Sequence, residues 1–123
     1  MSIKKIGDIP IDPMDGAVNT YIQWLISPLD GEEKIGLRRF IIKSGGYIPP
    51  HKHKELYHIQ YVIKGEYRVG IEDKEHTVSV GDIIYIPPQT VHWYKNDSGE
   101  DIEFLCIIPL DVDSTTEFIE TSQ

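Results

Sequence analysis

This chain is poor in the features that would tie it to a membrane, a nucleic acid or an oxidising compartment. A single cysteine, Cys106, rules out an internal disulfide. Lys and Arg number 12 against 20 Asp and Glu, a net charge of −8, and they form no run or stripe. Nucleic acid and anionic membrane surfaces are therefore not expected partners. No apolar run approaches the ~20 residues that a helix needs to cross a bilayer. The opening Met1-Ser2-Ile3-Lys4-Lys5 lacks the apolar stretch of a signal peptide, so a cytoplasmic location is the expectation. Also missing is any segment with a sustained helical period of apolar residues.

What is present is a succession of short β-rich runs separated by turn residues. The 123 residues suit one domain, expected over 1–123 with its core at about 34–109. Expected strands are Thr20–Ser27, Ile35–Lys43, His51–His53, His58–Lys64, Tyr67–Glu72, His76–Val80, Ile83–Ile86, Val91–Tyr94 and Ile102–Ile108. So many short strands predict an all-β sandwich or barrel. Gly45-Gly46 permits positive φ ahead of the histidine strand, and Lys64-Gly65 reads as a hairpin bend. Pro49-Pro50 and Pro87-Pro88 cannot donate to a ladder and are expected at strand ends or sheet edges. At the C-terminus, Ser114-Thr115-Thr116-Glu117 matches a capping box ahead of Phe118-Ile119; a short helix and a frayed end are both consistent with it.

The densest chemistry lies in His51-Lys52-His53 and His58, followed by His92 beyond a Gly81-Asp82 turn. Imidazole is the commonest protein ligand of divalent first-row metals. Side chains two apart on a strand share a face, with Cβ atoms roughly 6.5 Å apart, so His51 and His53 can converge on one ion. Metal–nitrogen bonds of about 2.0–2.1 Å for zinc leave an open hemisphere, for which His58 and His92 are the candidates. A shell of neutral rings would leave the ion's positive charge free to polarise a bound oxygen.

The spacing Gly45-x5-His51-x-His53-x4-His58-x6-Gly65 resembles the first signature of the cupin superfamily, with His58 where most members carry Glu. Downstream, Gly81-x5-Pro87-x-Gln89-x2-His92-x3-Asn96 is similar to the second signature, with Gln89 in place of a usual glycine. The resemblance implies a jelly-roll β-barrel holding one divalent ion through His51, His53, His58 and His92. Loss of the carboxylate at position 58 weakens the preference for hard metals, which favours zinc, nickel or iron(II) over manganese. Cupins with a neutral third ligand include enzymes that open unsaturated uronates and some polyketide cyclases.

That resemblance implies a metal-dependent enzyme acting on a small oxygenated substrate, a sugar acid or keto–enol compound, by isomerisation, ring opening or cyclisation. An iron(II)-dependent dioxygenase and a non-catalytic ligand-binding or sensor cupin are the alternatives. Small cupins often pair as homodimers through an N-terminal strand, a role open to Tyr21–Ile26; the alternative is a monomer whose own sheet absorbs that strand. Gln60, two residues from His58, should face the interior as a partner of the ligands or a substrate contact. Glu55, in the bend between His53 and His58, reads as solvated, or else as a general base or an alternative ligand. Arg38 shares parity with Phe40 and Ile42: it is either a solvated arginine beside Arg39 or a guanidinium aimed inward to hold a carboxylate. One of the tyrosines could donate a proton, His76 reads as a solvated hairpin residue, and Cys106 as a small buried hydrophobe.

Overall fold

The computed structural model describes residues 1–119 and is almost wholly β. Its strands are β1 Asp12–Pro13, β2 Val18–Ile26, β3 Ile35–His53, β4 His58–Lys64, β5 Glu66–Ile71, β6 Lys74–Ser79, β7 Ile83–Ile86, β8 His92–Lys95, β9 Ile102–Pro109 and β10 Thr116–Phe118. Single 3-10 turns at Ile6–Asp8 and Pro28–Asp30 complete the list of elements. All strand pairs are antiparallel, in the order β6-β5-β8-β3-β9-β4-β7, and β2 and β10 also pair with β3. The sheet curls into the jelly-roll barrel of the cupin type.

Period-two patterning sets which side chains enter the barrel. Along β4, His58, Gln60 and Val62 are buried and alternate with exposed Ile59 and Tyr61; along β9, Ile102, Phe104, Cys106 and Ile108 are buried. The interior is anchored by an aromatic stack in which Phe104 lies 4.9 Å from Phe40, 5.3 Å from Tyr94 and 5.6 Å from Tyr67 between ring centroids. Such contacts add to burial, because offset stacking matches ring quadrupoles.

β3 organises the molecule. Its first part, Ile35 to Ile42, pairs with β9 on one side while Leu37 to Ile42 pair with β2 on the other; from Tyr47 to His53 its neighbours are β8 and β10. The change of direction falls at Gly45-Gly46. Gly45 has φ of +77°, and a Cβ on Gly46 would lie 2.5 Å from Ile42 and 2.7 Å from the Lys43 carbonyl oxygen. Fully buried Asn96 ties this bend to the start of the loop after β8: its Nδ2 donates to the Ile42 carbonyl, Gly45 N–H donates to Asn96 O, and Asn96 N–H donates to Gly46 O. The asparagine of the second signature is thus a structural clamp.

Three expectations need correction. Ile35–Lys43 and His51–His53 are one continuous strand, because the glycine bend lets the backbone stay extended through it. Pro49-Pro50 consequently lies inside a strand. It is tolerated where pairing with β8 skips from Ile48↔Tyr94 to His51↔His92, and where the Pro50 carbonyl only has to accept, from Ile119 N–H. The C-terminal helix is replaced by β10, whose Thr116, Glu117 and Phe118 pair with His53, Lys52 and His51. Asp113, not a Ser114 cap, takes the local hydrogen bonds of Thr115, and the open edge of β3 offers β-branched Thr115 and Thr116 a ladder.

Candidate metal centre

β3 delivers His51 and His53 to one face, β8 places His92 directly opposite His51 in register, and β4 brings in His58. Ring centroids lie 4.1 Å apart for His51–His92, 5.0 Å for His51–His53 and for His53–His58, and 5.1 Å for His58–His92. One ring nitrogen each from His51, His53 and His92 lies within 4.8 Å of the others, close enough for a small closing movement to bring all three onto a single ion. His58 stands just outside that group, although its ring borders those of His53 and His92.

Each ring of the trio is oriented by an oxygen behind it. His51 Nδ1 donates to the Pro49 carbonyl at 2.7 Å, His92 Nδ1 to the Thr90 carbonyl at 2.9 Å, and His53 Nδ1 to the Thr116 hydroxyl at 2.8 Å. That hydroxyl in turn donates to the Ser114 carbonyl, so it accepts from the ring. With Nδ1 carrying the proton, Nε2 presents its lone pair inward, the tautomer a metal needs. Buried Nε2 atoms of His58 and His92 have no hydrogen-bond partner, an expensive arrangement that a cation would relieve. The donor set therefore fits a divalent ion.

Charge supports the same conclusion. Burial, followed by the neighbouring His51 ring and Arg38, pushes the His53 imidazole down to about 4. His92 is lowered to about 3, chiefly by burial, with His51 and His53 adding to it. His51 and His58 are lowered as well, again mainly because burial penalises the charged ring. All four rings are neutral at physiological pH.

His51 and His53 open onto a cavity of about 370 Å³. Its other walls are largely apolar and include Trp24, Leu56, Ile108, Leu110 and Phe118. Beside them runs a polar row set by strand register: Arg38 on β3 stands opposite Trp24 on β2 and Cys106 on β9, and Cys106 stands opposite Gln60 on β4. Gln60 Nε2 donates to the Tyr94 hydroxyl at 2.7 Å, and Arg38 donates to Cys106 Sγ at 3.5 Å. Cys106 is fully buried in the core as expected, and its Sγ in addition lies 3.5 Å from His58 Nδ1, behind that histidine.

The candidates named from sequence are thus sorted by the fold. Arg38 points inward, and Gln60 sits in the buried row. Glu55 is exposed, its carboxylate accepting from Asp113 N–H rather than lining the cavity. His76 is exposed on β6. Sequence reasoning missed Thr116 and Phe118, since β10 itself was not foreseen. It also missed the polar contacts of Cys106 Sγ, for which parity with buried Phe104 and Ile108 was the available signal.

Comparison with known proteins agrees with this geometry. The Cupin_2 family (cupin domain) matches residues 38–108, which contain all four histidines. The chain is a cupin. This cupin is 32% identical over 73 residues to an uncharacterized protein of Methanocaldococcus jannaschii, covering 59% of the chain and 58% of that relative. An oxalate-binding protein of Thermotoga maritima is 28% identical over 72 residues, covering 58% of the chain and 60% of that protein. The chain thus matches less than two thirds of either relative's length. Among solved structures, the polyketide cyclase RemF from Streptomyces resistomycificus superimposes with a TM-score of 0.91 at 26% identity, over 100% of this chain and 88% of that one. No helix among the described residues is long and apolar enough to cross a membrane.

Proposed function

We propose that this cupin binds one divalent ion through His51, His53, His92 and, as fourth ligand, His58, and that it is an enzyme acting on a small oxygenated substrate of the sugar-acid or keto–enol class. Isomerisation, ring opening and cyclisation are the reactions this reading covers. The observation that carries it is that one ring nitrogen from each of His51, His53 and His92 lies within 4.8 Å of the others while each Nδ1 donates to an oxygen, which leaves Nε2 as the open lone pair. Zinc, nickel or iron(II) suits such a neutral, nitrogen-only set. When bound, the ion supplies Lewis-acid polarisation of a substrate oxygen.

The chain's own residues account for the rest. Apolar walls exclude water, which strengthens every electrostatic contact at the cavity floor. Burial pushes the Tyr94 phenol far above its ordinary range, so it keeps its proton, and Gln60 Nε2 fixes the hydroxyl's position. Gln60 and Tyr94 therefore form a proton-bearing pair beside the histidines, with Tyr94 edge-on to His92 at 5.7 Å between ring centroids. Likeness to a polyketide cyclase supports cyclisation of an enolisable substrate as one form of this chemistry.

The test is solvent deuterium incorporation into a panel of enolisable keto acids and 1,3-diketones, in air and under nitrogen. Exchange that stops on chelation and continues without oxygen is the expected result. Turnover that needs oxygen and iron would instead establish the dioxygenase reading, and binding without exchange or turnover the sensor reading.

A further inference from the structure

Two adjacent arginines on β3 have opposite surroundings. Arg39 faces outward and is fully engaged: its Nε and a terminal nitrogen each lie 2.7 Å from Glu103 Oε1, and the other terminal nitrogen donates to Gln23 at 2.9 Å. Arg38 faces the cavity. Its guanidinium lies 4.8 Å from the Phe40 ring centroid and 5.5 Å from that of Trp24. Its one hydrogen bond is the 3.5 Å contact to Cys106 Sγ, and its buried Nε has no partner. Among the described residues no carboxylate pairs with it; Asp15, the acidic residue in the same lining, is exposed and forms no ion pair.

A guanidinium carries five N–H donors in a planar fork and cannot discharge by losing a proton. Arg38 is half-buried: its Nε is shut off from water while the rest of the fork faces the cavity, so an anion entering there would meet a charge-assisted donor that the described residues leave without a carboxylate. The space available is about 370 Å³, enough for a molecule of one or two rings; Trp24 flanks the fork, and Leu56, Leu110 and Phe118 are among the other apolar walls of the cavity.

We propose that Arg38 is the specificity-determining residue of the cavity and binds the carboxylate of a small, flat, apolar organic acid, holding the rest of that molecule against the histidine cluster. This narrows the functional reading above to its keto–enol arm, away from polyhydroxylated sugar acids, and rests on it for the chemistry but not for the binding. The carboxylate accepts from the guanidinium fork, the apolar body displaces water from the Trp24 and Phe118 walls, and a neutral analogue of the same shape lacks the charge that would pair with the half-buried guanidinium.

The experiment compares 2-naphthoate with its neutral counterpart 2-naphthamide by calorimetry, on metal-loaded and on chelator-treated protein. The wild type should bind the acid at least about tenfold tighter than the amide in both forms, as expected of a charge-assisted pair. Arg38→Met should reduce that preference to about twofold or less while amide affinity and metal content stay unchanged, and Arg38→Lys should retain a reduced preference. Absence of acid binding, equal binding of acid and amide by the wild type, or a preference that survives in Arg38→Met overturns the proposal. A protein that holds no metal yet shows the Arg38-dependent preference would sink the metal reading and leave this one standing.

Discussion

The two halves of β3 show how one strand can serve stability at one end and chemistry at the other. From Ile35 to Ile42 it runs beside β9 and sends Phe40 and Ile42 into the aromatic and aliphatic interior. From Tyr47 to His53 it lies between β8 and β10 and sends in two imidazoles. In the first half the inward groups are satisfied by packing alone, apart from Arg38. In the second, each inward ring is satisfied on one side by an oxygen and left open on the other. The lesson is that the polar half is held rigid by hydrogen bonds behind the rings, so its open nitrogens are aimed rather than merely present.

The sharpest way to break that contrast is to delete a large group from the apolar half. Phe104→Ala removes a fully buried ring stacked on Phe40, Tyr67 and Tyr94 and should cost about 3–5 kcal/mol in metal-free denaturant unfolding. His51→Ala, measured the same way, should cost clearly less. Equal losses would mean that the histidine half is part of the stabilising interior after all.

A smaller effect is expected from the group that orients His53. Thr116→Val keeps the β-branched shape of β10 but removes the hydroxyl that accepts from His53 Nδ1, and metal affinity should fall about 10–100-fold with little change in unfolding free energy. An unchanged affinity would show that the ring is aimed by packing alone.

The mildest perturbation is pH. His53 and His92 titrate near 4 and 3 in the folded chain because burial disfavours their charged forms, against about 6.5 when unfolded. Between those values the unfolded chain binds more protons, so stability is fully present above about pH 6.5 and declines as pH falls, by up to ~1.4 kcal/mol per pH unit for buried His92 and by less for His53, whose partial exposure screens the effect. Metal-free unfolding at pH 7.5, 6 and 5 checks the sign; stability that rises on acidification from 7.5 to 5 would contradict it.

How much of this was legible in the sequence varies with the physics of each part. The paired signatures exposed His51, His53 and His92 because glycines, a proline and ligands recur at fixed spacing, and each has a structural reason here. Gln89, the departure from the second signature, adopts φ of +62°, the left-handed backbone that a glycine takes without strain. Its N–H donates to His53 O and its side chain to Lys54 O, so it links the loop before β8 to the histidine strand. Strands β4 and β7 were readable to the residue, since their alternation is bounded by Gly and Pro. β10 was not, because its ladder exists only once the His51–His53 edge is in place, and local capping chemistry pointed elsewhere. Arg38 was readable as one of two faces; only cross-strand register with Trp24 and Cys106 decides that it points inward.

The central claim is that imidazoles from β3, β4 and β8 share one cation. Elemental analysis of protein purified without a metal-affinity step tests it most directly, comparing wild type with His51→Ala and His58→Ala. The account predicts about one divalent ion per chain in the wild type, near zero in His51→Ala and a clear loss in His58→Ala. A wild type without bound metal, unable to take up zinc, nickel or iron(II) when these are supplied, would contradict it.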